Sequence, residues 1–93
     1  MTKHDKRTDT NHAEIRDGLR KAGYFCFDSS RFGSGFPDLI VRGGGRVVML
    51  EIKQGSAKLT DAEKDFHEAF YGLGLHVVRT LEQALDVMRK ETI

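Results

Sequence analysis

Two carboxylates and an amine gather around a glycine cluster in this chain: Asp38, Glu51 and Lys53. Asp38 opens the apolar run Leu39-Ile40-Val41, and Glu51-Ile52-Lys53 closes a second run, Arg46-Val47-Val48-Met49-Leu50, with Gly43-Gly44-Gly45 between them. Two β-prone runs joined by glycines are the local pattern of a β-hairpin. With Gly44-Gly45 as a two-residue loop, Gly43 pairs with Arg46 and Asp38 falls directly opposite Glu51. Opposed residues of an antiparallel pair share a face with Cβ atoms roughly 4.5–5.5 Å apart, so like charges there repel and raise each other's pKa. A bound cation resolves that conflict. Strand alternation returns Lys53 to the face of Glu51, and Pro37, which has no N–H for the ladder, marks the start of the first strand.

Phosphodiester hydrolysis needs a nucleophilic water, charge stabilisation at phosphorus and help for the leaving oxygen. Carboxylate oxygens suit the hard cations Mg2+ or Mn2+, with Asp38 and Glu51 as direct ligands. Lys53 is then placed to orient or deprotonate the water and to stabilise charge on the phosphate. The competing reading makes the three residues an edge cluster of ion pairs on a solvated strand face. Such pairs contribute little, and this reading leaves the opposed acids unexplained.

Pro37-Asp38 followed by Glu51-Ile52-Lys53 matches the metal-dependent nuclease signature Pro-Asp…(Asp/Glu)-x-Lys. With Gly35-Phe36 before it, Leu39-Ile40 after it, Gly55 beyond Lys53 and Leu59-Thr60 opening a helix, the chain resembles the VRR-NUC family, particularly its short stand-alone phage-type members. The resemblance runs from about Glu14 to about Ala84. It implies a restriction-endonuclease-like αβββαβ core, the backbone carbonyl of Ile52 as a third metal ligand, and a first-helix glutamate, here Glu14, reaching the metal site. It further implies a homodimer acting on branched DNA such as Holliday junctions. One position departs from the pattern: Glu63 stands where the family usually has glutamine. A further negative charge beside phosphate is unfavourable unless metal or Lys53 screens it, so Glu63 either acts through the cation or only caps its helix. Glu14 has the same alternative.

The elements that must position these groups follow from periodicity. Residues 1–10 are polar without a pattern and are expected to form a flexible arm, leaving 11–93 as a single nuclease-like domain. Ile15, Leu19 and Ala22 recur at helical spacing, and Asn11 with Glu14 forms a capping-box pattern, which predicts a helix over His12–Ala22 closed by Gly23. Tyr24–Asp28 is a first strand. A small-residue loop, Ser29-Ser30-Arg31-Phe32-Gly33-Ser34-Gly35, leads to the hairpin. Thr60 and Glu63 cap a helix whose stripe is Ala62, Phe66, Ala69, Phe70 and Leu73; His76–Arg79 is a fourth strand, and Thr80 and Gln83 open a last helix with Leu81, Ala84, Leu85 and Met88 inward. The expected α/β fold is a mixed four-stranded sheet flanked by helices, with the fourth strand parallel to the third through a right-handed crossover. Apolar residues on both faces of the hairpin predict a sheet covered on both sides.

Composition narrows the partners. Ninety-three residues with 39% hydrophobic and 31% charged residues suit one globular domain, and no apolar run is long enough to cross a membrane or serve as a signal region. A cytoplasmic protein is expected. Net charge is only +1, so DNA affinity must come from local cations. Arg31, Arg42, Arg46, Lys53 and Lys58 are the candidates, with Ser34 in the glycine loop available to a DNA backbone; the alternative is that these are scattered surface residues. The lone Cys26 is expected to be a small buried apolar residue, and His67 a structural or exposed one. Two further functions compete with branched-DNA cleavage. One is a DNA-binding or assembly subunit without useful cleavage, and the other is a nuclease for linear DNA or RNA.

Overall fold

The computed structural model describes residues 3–91, with side chains for 11–90. The order is α1 (Lys3–Lys21), β1 (Phe25–Asp28), a 3-10 turn (Ser30–Phe32), β2 (Leu39–Gly43), β3 (Arg46–Ile52), α2 (Asp61–Ala69), β4 (Leu75–Val78) and α3 (Leu81–Glu91). The strands form one sheet in the order β1-β2-β3-β4. β1 and β3 run antiparallel to β2, and β4 runs parallel to β3. This is the mixed α/β architecture that the hydrophobic pattern predicts. No helix among the described residues is long and apolar enough to cross a membrane.

The hairpin register decides the rest. Gly44 and Gly45 take φ of 59° and 77°, the two left-handed positions of a hairpin turn whose twist matches its strands. The ladder then pairs Gly43 with Arg46 and Leu39 with Leu50, as the sequence pattern requires. Leu39, Val41, Val48 and Leu50 project to one face and are fully buried beneath Ile15 and Leu19 of α1 and Ala84 and Met88 of α3. Cys26 joins this core, as expected.

The opposite face departs from expectation. α2 has nine residues, about 13 Å of helix, too short to roof a four-stranded sheet. It covers the end of the sheet near Asp38, where Phe36 meets Phe66 edge-on at 5.2 Å. The far end stays open, with Val47 56% and Phe25 64% exposed. The sheet is therefore covered fully on one face and only partly on the other.

α1 also differs. It begins at Lys3 rather than His12, so residues 3–10 of the expected arm are helical; Met1 and Thr2 lie outside the described residues. Apolar periodicity cannot detect such a start, because once a helix exists each added residue gains a hydrogen bond without needing an apolar face. Asn11 is consequently no N-cap. Its side-chain amide donates to the carbonyls of Lys53 (3.1 Å) and Arg79 (3.4 Å), fastening the helix to the ends of β3 and β4. The Thr60–Glu63 capping box forms in full. In α3, Thr80 accepts from Gln83 N–H at 3.1 Å, while the Gln83 side chain reaches past it to Arg79 N–H at 2.6 Å.

Candidate functional site

The paired ladder ends at Leu39 and Leu50; Asp38 lies one residue before β2, outside that pairing, and meets Glu51 through their carboxyls. Asp38 N–H donates to Leu50 carbonyl at 3.0 Å, and its Oδ2 accepts from Ile52 N–H at 2.8 Å. That second bond holds the carboxylate against β3. N–H and C=O of a strand residue project to the same side, so the Ile52 carbonyl is also directed toward β2 and Asp38.

Glu51 is only 2% exposed, and its Oε1 is buried without a hydrogen-bond partner. Burial, then the charges of Asp38 and Glu63, push its carboxyl up to about 9. Burial also raises Asp38, against the lowering effect of the Ile52 N–H. The opposed acids are thus held together in a place where neither ionises easily.

Lys53 and Glu63 complete the group. Lys53 Nζ lies 2.9 Å from Glu63 Oε1, both side chains largely buried. The same Oε1 accepts from Thr60 N–H at 2.8 Å. Burial opposes ionisation of Glu63, but Lys53 and the Thr60 N–H outweigh it and hold the carboxyl below its ordinary range. Capping and engagement with the site, posed as alternatives by the sequence, are met by one oxygen. The lysine backbone is pinned as well: its N–H donates to Val78 carbonyl at 3.0 Å while its own carbonyl accepts from Asn11.

From α1 the structure brings Asn11 and His12 to this place, and not Glu14. Asn11, His12, Asp38, Ile52 and Lys53 line one cavity of about 210 Å³. Glu14 is exposed and outside that lining. His12 is buried, its Nε2 3.0 Å from Asp28 Oδ2, which also accepts from Arg16 Nη1 at 3.1 Å. Burial works against the Asp28 charge, but the Ser30 hydroxyl, His12 and Arg16 hold it well below the ordinary carboxylate range. His12 was missed in the sequence although a signal existed: with Ile15 and Leu19 it stands at helical spacing on the buried face.

No family model, curated protein or solved structure matches this chain. The site's capacity is therefore judged on its own chemistry. Among the described residues there is no group of three or more His, Cys, Asp or Glu able to hold a metal ion, and Glu63 Oε1 is taken by Lys53 and Thr60. Asp38, Glu51 and the Ile52 carbonyl remain, an all-oxygen set suited to Mg2+ or Mn2+. The orphaned Glu51 Oε1 beside a second carboxylate is what a cation would satisfy. The residues fit the group.

The expected nucleic-acid contacts divide by position. Arg31 and Ser34 are exposed in the β1–β2 connection, and Lys58 is exposed in the β3–α2 connection, both at the site's end of the sheet. Arg79 Nη1 holds the latter loop through the Gly55 and Ala57 carbonyls, each at 2.9 Å. Arg42 shares the face of Asp38 but lies four residues along β2, roughly 13 Å away. Arg46 is at the hairpin tip, pairing with Gly43. Sequence proximity to the hairpin suggested both; the length of the strands removes them from the centre. Gly35 joins loop to helix. At φ 83°, a Cβ there would collide with the Ala62 carbonyl oxygen, so only glycine lets the loop lie against the turn that carries Glu63.

Proposed function

We propose that this chain is a metal-dependent endodeoxyribonuclease of the VRR-NUC type, acting in the cytoplasm as a homodimer on branched DNA such as Holliday junctions. The observation that carries the reading is the meeting of the Asp38 and Glu51 carboxyls at the end of the β2–β3 hairpin, with a buried Glu51 oxygen left unsatisfied. Asp38, Glu51 and the Ile52 carbonyl would hold Mg2+ or Mn2+, which supplies Lewis-acid stabilisation and a more acidic bound water.

The chain's own groups do the rest. Lys53, seated by its fixed backbone, presents its ammonium to a phosphate oxygen or to the attacking water, and Glu63 limits where that ammonium can go. His12, steadied by Asp28, forms the α1 wall of the same cavity. Arg31, Ser34 and Lys58 flank the entrance and suit contacts to neighbouring phosphates. Two copies related by a two-fold axis could cut symmetric strands, and the exposed Phe25 and Val47 at the open end of the sheet offer a surface for the pair.

A second reading is favoured by one contact. Lys53 is already neutralised by Glu63 at 2.9 Å, as suits a DNA-binding or assembly subunit that retains the fold without turning over. Incubation with junction, linear duplex, single-stranded DNA and RNA, with and without Mg2+ or Mn2+, separates the two. Metal-dependent junction cleavage that is lost in Asp38→Ala and Lys53→Ala supports the nuclease. Binding without cleavage by the native chain, unchanged in both variants, supports the subunit, and cleavage confined to linear substrates removes the junction preference.

A further inference from the structure

The face that carries the carboxylates also carries a row of aromatic rings that hydrolysis does not use. Phe27 and Phe32 are 45% and 56% exposed, with ring centroids 6.1 Å apart and planes tilted by 53°. Together with Asp28, Ser30 and Arg31 they line an open cavity of about 480 Å³. Phe32 is braced from behind by Phe36 at 5.2 Å, which rests in turn on Phe66 of α2. Exposed rings held in place by other rings form a platform rather than a core.

We propose that this cleft takes an unpaired nucleobase of the DNA strand whose phosphate occupies the carboxylate centre, an inference that rests on the nuclease reading. Three observations converge on it. The first is position: Phe27 pairs with Ile40, two residues from Asp38 on the same face, and such diagonal neighbours on adjacent strands lie roughly 7–8 Å apart. A strand with its phosphate at Asp38 and Glu51 brings a neighbouring base over the rings. The second is chemistry: aromatic faces stack any base, and a guanidinium beside them serves the phosphate or the ring system. Arg31 is exposed and makes no ion pair among the described residues. The third is the state of Asp28, the one acid in the lining. Its carboxylate is already held by Arg16, His12 and Ser30, which offsets its repulsion of a polyanion. A base inside a stacked duplex cannot enter, so the cleft selects strands with unpaired bases, as at a branch point or flap.

The test is binding under non-hydrolysing conditions, with calcium in place of magnesium. Fluorescence anisotropy compares a blunt duplex, the same duplex with a single-stranded tail, and the tail strand alone. Phe32→Ala is expected to weaken binding of the tailed and single-stranded probes about five- to a hundredfold while leaving the blunt duplex within about twofold. Phe32→Tyr, which keeps the ring, should restore native affinity, and quenching of 2-aminopurine in the tail should disappear with Phe32→Ala alone. Equal loss on all three probes, no loss on any, or a shift in sedimentation showing that the rings instead hold two copies together would overturn the proposal. Native cleavage with magnesium is scored separately. Tail-selective binding without cleavage leaves the cleft standing and removes the nuclease reading; cleavage with probe-independent aromatic variants does the reverse.

Discussion

The two faces of this sheet are built on opposite principles. Beneath α1 and α3, Leu39, Val41, Val48 and Leu50 are fully buried among apolar neighbours. On the face that α2 partly covers, the ends of β2 and β3 bring the carboxyls of Asp38 and Glu51 together and leave an oxygen unsatisfied, while Val47 at the far end stays exposed. One face supplies the stability that the other spends, because each buried carboxylate held against a like charge costs free energy that packing elsewhere must offset. Local conflict tolerated on a well-packed scaffold is the usual mark of a functional site.

Substitutions on the two faces break this contrast most sharply. Leu50→Ala should cost about 2–5 kcal/mol in urea unfolding, and that loss would confirm which face holds the molecule together. Asp38→Asn should lower metal-dependent cleavage at least about a hundredfold yet leave metal-free stability equal or higher at pH 8, since it removes the charge facing Glu51 and keeps an acceptor for Ile52 N–H. Lower stability in that variant would mean that the opposed acids are not in conflict. Gly35→Ala should cost about 1–3 kcal/mol, visible as a reduced melting temperature, by forcing the glycine loop off the α2 turn.

The pH response sharpens the same comparison. Glu51, raised from 4.5 to about 9, keeps in the folded chain a proton that the unfolded chain releases, so metal-free stability should fall as pH rises from about 5 to 9. Asp38, also raised, acts in the same direction. Asp28 and Glu63 are lowered, so their contribution is present above the ordinary carboxylate range and is lost only in acid. Melting temperature in EDTA should drop by on the order of 10 °C or more across pH 5 to 9, and Mg2+ or Mn2+ should restore it most at the alkaline end. A flat profile indifferent to metal would remove the case for a cation. The smallest effect is expected for Val47→Ala, within about 0.5 kcal/mol, on the same strand as Leu50 but facing the open side.

Much of this was legible in the chain itself. A side-chain period of two and a two-glycine loop admit one register that buries Leu39, Val41, Val48 and Leu50 together; Asp38 lies one residue outside the paired ladder, with its N–H turned to the Leu50 carbonyl, so its meeting with Glu51 is made by the side chains and not by the register. Thr60 and Glu63 likewise declare their capping box by spacing alone. What local pattern could not supply were distances set by whole elements. Arg42 and Arg46 are near the acids in sequence but a strand length away in space. Glu14 and His12 are two residues apart on a helix, yet only the rotation of α1 over the sheet decides that His12 and Asn11 line the cavity. The short reach of α2, which leaves half a face open and the Phe27–Phe32 cleft accessible, is a matter of how a nine-residue helix lies across four strands. Periodicity names the face a residue occupies; which residues from separate elements meet there is decided by packing.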